Sequence, residues 1–456
     1  MKIISQKLFV ASFFIFLFIS GCVNREEHYG RTVAPTLLPF TQKEMNSPSF
    51  WIKLHPSVDK IILTPIQITS LNKKTEDQLK LSKDITKIGL TYSARELVSR
   101  LQEDIKELRE NTLFDGAGHK IREGFYRKMK KYMRLKQLSG NIKVSYGFVT
   151  RRTDQRSLPT SWMLTQEPGD LAFDELQNNS LDIAIPLAIL NQTEDGKWFY
   201  VDAPTCHGWV DRKDVVFCTR DELKDFMNKK PFIVVTAAKG DIFLDPDLSE
   251  FYSRLRMGVT LPLVADGSKV VKALIPTVDS RGKFSQRAVY LKKDEVHIGF
   301  LPFTSRTMIE QAFRVFPMPY GWGCSPDEQD CSGFIQEIFA SVGIVLPRNA
   351  YEQRLVGRLI GGYDKEGDSQ LRLKVFQTEA IGGITTVWLK GHIMLFLGMY
   401  KERPYVIHAT YGYKEKTSAG IIERIVNRVV VSDLSLGKGT PKGSLLERTL
   451  SIRVID

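Results

Sequence analysis

The stretch Tyr320-Gly321-Trp322-Gly323-Cys324-Ser325-Pro326-Asp327-Glu328-Gln329-Asp330-Cys331-Ser332-Gly333-Phe334 decides how this chain is read. After Cys331, apolar residues fall at Phe334, Ile335, Ile338, Phe339 and Val342. Steps of three and four predict an amphipathic helix that opens at or near Cys331. A thiol there meets the positive end of the helix dipole, which favours its thiolate and lowers its pKa. The unpaired N–H groups of the first turn can also hold a developing oxyanion. Gly333 leaves room for close approach of backbone or substrate. Asp330 is a residue type that caps helices. Such a cysteine is either a nucleophile or a buried structural residue, and the choice turns on whether a base is at hand.

Two of the seven histidines lie downstream. His392 begins the run His392-Ile393-Met394-Leu395-Phe396-Leu397, and His408 ends Tyr405-Val406-Ile407-His408. Both sit beside strand-like residues, where an imidazole is aimed rigidly. A nucleophilic thiol needs a base, and the base needs an orienting group. A short hairpin turning near Lys401–Pro404 would place His408 opposite about Phe396. That is roughly 13 Å from His392 along a strand, so only a bulge or strong twist would bring the rings together.

In order, Tyr320-x-Trp322-Gly323, Asp330-Cys331-Ser332-Gly333-Phe334, Gly391-His392 with its apolar strand, and Ile407-His408-Ala409 resemble the NlpC/P60 family of cell-wall cysteine peptidases. Leu346-Pro347-Arg348 and Gln353 are similar to it too, and the likeness covers about residues 304–456. Cys324 departs from the pattern, standing where a glycine is more usual. The resemblance implies a papain-like core with Cys331 as nucleophile, His392 as general base and His408 as the residue orienting the base. Upstream, Leu158-Pro159-Thr160, Phe173-Asp174-Glu175-Leu176-Gln177, Asp195-Gly196-Lys197-Trp198 and Gly208-Trp209-Val210 look like the first SH3-like domain of multi-domain members. The region from Trp51 to Asn72 is similar to their N-terminal stabilising domain. In that subgroup the first barrel closes one end of the groove. This implies cleavage of the γ-D-glutamyl–diamino acid bond in peptidoglycan stems with a free N-terminal L-alanine. A free ammonium in a closed pocket calls for carboxylates. Asp330, Tyr320 and Ser332 are the expected substrate-binding residues, with a further acid from the barrel at Asp174 or Glu175. No metal or organic cofactor is required. The same Cys and His machinery could instead pass the acyl group to an amine, and a non-catalytic wall-binding lipoprotein is the alternative from another class.

The rest of the chain fits an exported enzyme. Lys2 and Lys7 flank the start of an apolar run, Leu8 to Ile19, too short for the ~20 residues of a membrane span. It reads as a signal peptide. Ile19-Ser20-Gly21-Cys22 resembles a bacterial lipobox, with Cys22 as the lipidated residue, so the expected location is the cell envelope, anchored by lipid. The net charge of +12 suits an anionic partner, but no block is basic enough for a nucleic-acid arm. Residues 119–137 are rich in Lys and Arg with Phe125, Tyr126 and Tyr132 interleaved. They form a solvated helix face or a contact for anionic polymer. Cys206 and Cys218 could pair, and the cysteine and histidine spacings fit no zinc site.

Length allows two to four domains at roughly 100–200 residues each. Thr64, Pro65 and Gln67 start one helix, and Ser93 with Glu96 starts another with an apolar stripe through Leu97, Leu101, Ile105 and Leu108. Strand-like runs at Ala184–Leu190, Trp198–Val201, Phe232–Val235, Val259–Val264, Val270–Ile275 and Ala288–Leu291 suggest two small barrels in series. The expected layout is multi-domain α+β. It comprises a signal peptide (1–21), a tether (22–50), a helical N-terminal domain (51–140), two SH3-like barrels (141–225 and 226–303) and the catalytic domain (304–456). The protein is expected to act as a monomer on stem peptides or muropeptides.

Overall fold

The computed structural model describes residues 30–456, so the signal-peptide reading and Cys22 lie outside the described residues. Residues 30–50 are not the tether read from their polar, proline-dotted sequence. Gly30–Val33 pairs in parallel with the strand Gly420–Asp433, Gly30 facing Ile422. Ala34, Leu38 and Met45 are buried. Pairing through the backbone needs no hydrophobic period, and these apolar residues insert one at a time, so neither leaves a pattern to read. The short helix Pro48–Leu54 then buries Trp51 completely; its indole N–H donates to the Met45 carbonyl at 2.8 Å, and its ring lies 5.3 Å from that of Tyr405.

Both expected helix starts are present. Thr64 and Gln67 form a reciprocal capping box on the helix Pro65–Asp77. Ser93 caps Ala94–Glu110, whose Leu97, Leu101, Ile105 and Leu108 are buried. This second helix packs on the first strand-rich unit, tied by Arg100 to Asp202 at 2.6 Å. That unit is a seven-stranded antiparallel sheet between Ser145 and Cys218; a second, between Phe232 and Ile298, follows it. The Glu194-Asp195-Gly196 turn is as expected, with Gly196 at φ 68° and its N–H on the Thr193 carbonyl. One hydrophobic core runs through the Ala94–Glu110 helix and both sheets.

The C-terminal region is a seven-stranded mixed sheet. Its order is Gly30–Val33, Gly420–Asp433, Arg403–Thr417, His392–Tyr400, Thr385–Leu389, Thr449–Val454 and Arg358–Gly362. One face packs on the helices Ser305–Val315 and Cys331–Ala340, the other on Ser369–Thr378. Arg403–Thr417 is far longer than the Tyr405–Ile407 strand read from sequence. Beyond His408 the residues turn polar while backbone pairing to Gly420–Asp433 continues.

Removing the Trp51 ring should leave a large cavity where the N-terminal segment meets the sheet. Trp51→Ala is expected to destabilise this region by about 3–5 kcal/mol in denaturant unfolding. A variant indistinguishable from the native chain would contradict this docking.

Candidate active site

The helix Cys331–Ala340 opens where the sequence places it. Asp330 is its N-cap: Oδ1 accepts from Gly333 N–H at 2.8 Å, and Oδ2 from Gly323 N–H at 3.1 Å. Arg348 holds the same carboxylate through both terminal nitrogens, at 2.6 and 3.2 Å, and donates to Ser332 Oγ at 2.8 Å. Its Nε–H donates to Asn179 Oδ1 of the first sheet at 2.8 Å. Burial pushes the Asp330 carboxyl up, but the guanidinium and these donors together hold it below its ordinary value. Asp330 and Ser332, expected at the substrate, are thus committed to a clamp around the nucleophile turn. Gln353 closes it, donating to the Ser332 and Pro347 carbonyls.

Gly333 does not serve the open approach expected of it. A Cβ there would meet Cys324 Sγ at 2.4 Å, so the glycine makes room for that sulfur. Gly323 and Cys324 are both left-handed, at φ 60° and 61°. This explains why a glycine is the easier residue at 324, since a side chain costs about 1 kcal/mol in that region. Gln177 of the first sheet presses against Gly323, and Arg152 donates to the Cys324 carbonyl at 2.7 Å.

Cys331 is 8 % exposed. The N–H groups of Ile393 and Ser332 point at its sulfur and favour the thiolate, but burial and then the Asp330 charge outweigh them and push the thiol up to about 12. The lowered value expected from the helix dipole is therefore overturned: loss of water is the larger effect. Ile393 directly follows His392, so the thiol stands at the end of the strand that carries the imidazole. His392 keeps an exposed edge, yet its enclosure lowers it to about 4, with Arg448 acting in the same direction.

The two histidines meet. His392 Nε2 lies 2.8 Å from His408 Nδ1, and His408 Nε2 lies 3.0 Å from Ser432 Oγ. The spacing problem is solved by register. The turn residues Lys401 and Glu402 both have positive φ, and a bulge at Leu397 shifts the pairing so that Phe396 faces Val406 and Leu395 faces Ile407. Continuing that register puts His408 opposite Met394, on the same face as His392 and diagonal to it, within reach of long side chains. With Nε2 engaged on His408, Nδ1 is the His392 nitrogen left to act as a base. A proton on His392 Nε2 then requires His408 to carry its own on Nε2, donated to Ser432. Ser432 is fully buried, and nothing in its sequence context marks it.

Tyr320 is half-buried beside Cys331 and Asp330, and burial first, then those charges, raise its hydroxyl pKa, so it stays a donor. Trp322 donates to the Asp174 carbonyl at 2.9 Å, and Phe173 packs on both Trp322 and Tyr411. A second junction lies behind the nucleophile helix. Arg256 of the second sheet pairs with Asp182 of the first at 2.7 Å and with Glu337 at 3.1 Å; Glu337 in turn accepts from Gln329 Nε2 at 2.8 Å. Burial raises Glu337 to about 7 against the pull of Arg256.

On the far side of Arg348 a cavity of about 450 Å³ is lined by Asp104, Glu107, Glu175 and Glu352. Glu175 is one of the two barrel acids expected near substrate. Asp174, the other, is occupied: it pairs with Arg156 at 2.8 Å and accepts from the Leu164 and Leu176 N–H groups. Cys206 also lines the cavity, and both Cys206 and Cys218 are free thiols.

A thiol pushed up by burial and an imidazole lowered by it set an expectation for alkylation. Followed by peptide mass, iodoacetamide labelling of Cys331 should be slow at pH 7 and climb toward pH 12, as the thiolate forms. A plateau already reached by pH 7 would mean a resting thiolate–imidazolium pair instead.

Residues 317–422 match the sequence profile of the NlpC/P60 family, and residues 164–211 that of an SH3 domain of SH3b1 type. A gamma-D-glutamyl-L-lysine dipeptidyl-peptidase of Bacillus cereus is 26% identical over 164 residues, 35% of this chain and 45% of that protein. The bifunctional muramidase/DL-endopeptidase CwlT of Bacillus subtilis is 47% identical over 49 residues, 10% of this chain and 15% of that one. The matches thus span less than half the length of either relative. Among solved structures, an NlpC/P60 endopeptidase from Photobacterium damselae subsp. piscicida superposes with a TM-score of 0.73 at 19% identity, covering 94% of this chain and 99% of that one, and so shares the fold. The chain carries an NlpC/P60 domain preceded by an SH3b1-type domain.

Proposed function

We propose that the protein is a cysteine endopeptidase that hydrolyses the γ-D-glutamyl–diamino acid bond of peptidoglycan stem peptides. The observation that carries this reading is the Cys331 thiol at a helix start, beside a strand whose His392 is aligned by His408 and Ser432. His392 Nδ1 takes the Cys331 proton as sulfur attacks the amide carbonyl. The Cys331 N–H and the Tyr320 hydroxyl hold the oxyanion. His392 then protonates the departing amine, and water resolves the acyl-enzyme. The His408–Ser432 contacts keep His392 in the tautomer that accepts at Nδ1.

The acidic cavity supports a preference for stems with a free N-terminal L-alanine. Burial, reinforced by neighbouring carboxylates, raises Glu107 and Glu175; burial also raises Glu352. Crowded acids out of water are relieved by an ammonium. Glu175 is the acid that meets the amine, with Asp330 shaping the turn rather than touching substrate. The lipobox-like run Ile19-Ser20-Gly21-Cys22 supports a lipid anchor at Cys22 and action in the cell envelope.

Digestion of defined muropeptides tests both parts. The native chain should cut stems with a free L-alanine and spare acetylated ones. Cys331→Ala should lose several orders of magnitude in rate, and Glu175→Gln should narrow the gap between free and acetylated stems. Cleavage by Cys331→Ala, or indifference to acetylation, would overturn the corresponding part. Ser432→Ala removes a single neutral hydrogen bond and should lower kcat by up to roughly tenfold with KM little changed. An unchanged kcat would remove Ser432 from the relay.

A further inference from the structure

Away from the thiol, the first sheet and the basic helix Glu123–Tyr132 enclose a groove of about 500 Å³. Phe125, Tyr132, Trp162 and Trp198 supply its aromatic walls, and Lys128 and Lys131 its charge. Trp162 is 55% exposed, yet its ring lies nearly parallel to that of Phe125, at 21° and 6.0 Å. An indole so displayed loses hydrophobic stabilisation unless something covers it. The loop beneath is held rigidly: buried Arg156 donates to the carbonyls of Thr160 and Trp162, both at 2.6 Å, and Trp162 N–H donates to Thr160 Oγ1. Among the described residues, neither Lys128 nor Lys131 pairs with a carboxylate, and Arg127 and Lys130 flank them. Asp195, on the rim, is consumed by Tyr132, Thr193 and Lys197, whereas the neighbouring Glu194 carboxylate is unengaged.

We propose that this groove binds an acidic glycan strand. The apolar C–H faces of pyranose rings fit flat against Trp162 and Phe125, whose positions are fixed before binding. Lys128 and Lys131 take ring-borne carboxylates, and Glu194 accepts from sugar hydroxyls. Long-range attraction comes from the basic helix and is screened by salt. An anionic membrane is the weaker fit, because the aromatic rings line a concavity, which a flat bilayer surface cannot enter. A grip on the polymer is separate from the chemistry, so it holds whether or not the chain cuts stems.

The test uses the full chain and peptidoglycan strands stripped of stems by an amidase, whose sugars carry free lactyl carboxylates. Neutral chitin oligomers and vesicles of anionic phospholipid are the comparison probes. The native chain should bind stripped strands more tightly than chitin, with affinity falling as salt rises. Trp162→Ala should weaken binding to both glycans by roughly tenfold or more, as loss of a tryptophan anchor does. Lys128→Gln with Lys131→Gln should remove the preference for stripped strands while sparing chitin. Hydrolysis of small soluble stems should be unchanged in these variants, which separates this site from the catalytic reading. Equal binding by the variants, or capture of vesicles in place of strands, would overturn the proposal.

Discussion

Asp330 and Arg348 form a buried ion pair on which the geometry of the nucleophile turn rests. The carboxylate ends the helix by taking the Gly333 N–H, and it gathers the preceding loop by taking the Gly323 N–H. A lone buried carboxylate would be severely penalised, and the bidentate guanidinium removes most of that penalty. Arg348 reaches at the same time to Asn179, so the pair also registers the first sheet against the catalytic helix. The position of Cys331, the shape of the loop and the wall of the acidic cavity follow from one contact.

The same economy governs the junctions between units. Gly323 has no side chain because the side chain and backbone of Gln177 fill that space, and Gly333 has none because Cys324 Sγ does. Arg256 of the second sheet braces the back of the helix by pairing with its Glu337, which in turn holds Gln329. Even the N-terminal segment joins the catalytic sheet as a parallel edge strand. The strand-rich units therefore act as walls and braces for a site whose reacting groups all come from the C-terminal region.

Much of this was legible in the sequence, for identifiable reasons. The helix at Cys331, the caps at Thr64 and Ser93 and the serial strand-rich units are local patterns, and the structure has them. What depends on distant partners was not. The distance that separates His392 from His408 in an unbroken hairpin is closed by a bulge at Leu397, in a run of uniformly apolar residues that gives no sign of it. Ser432 and Asn179 become partners only through folding. Glu337 looks like a solvent-facing residue of an amphipathic helix until the two sheets cover it. The thiol pKa was misjudged because the helix dipole is visible in a sequence and burial is not. The segment 30–50 reads as a tether because edge pairing uses backbone atoms, which every sequence supplies.

The central claim is that sulfur of Cys331 becomes acylated by the γ-glutamyl carbonyl during turnover. The most direct measurement is the mass of the chain, quenched in acid while it hydrolyses L-alanyl-γ-D-glutamyl-diamino acid stems, followed by mapping of the modified peptide. An L-alanyl-γ-D-glutamyl adduct on the peptide containing Cys331 is the predicted result. An adduct on another residue, or continued turnover by a chain whose Cys331 has been fully alkylated, would contradict the account.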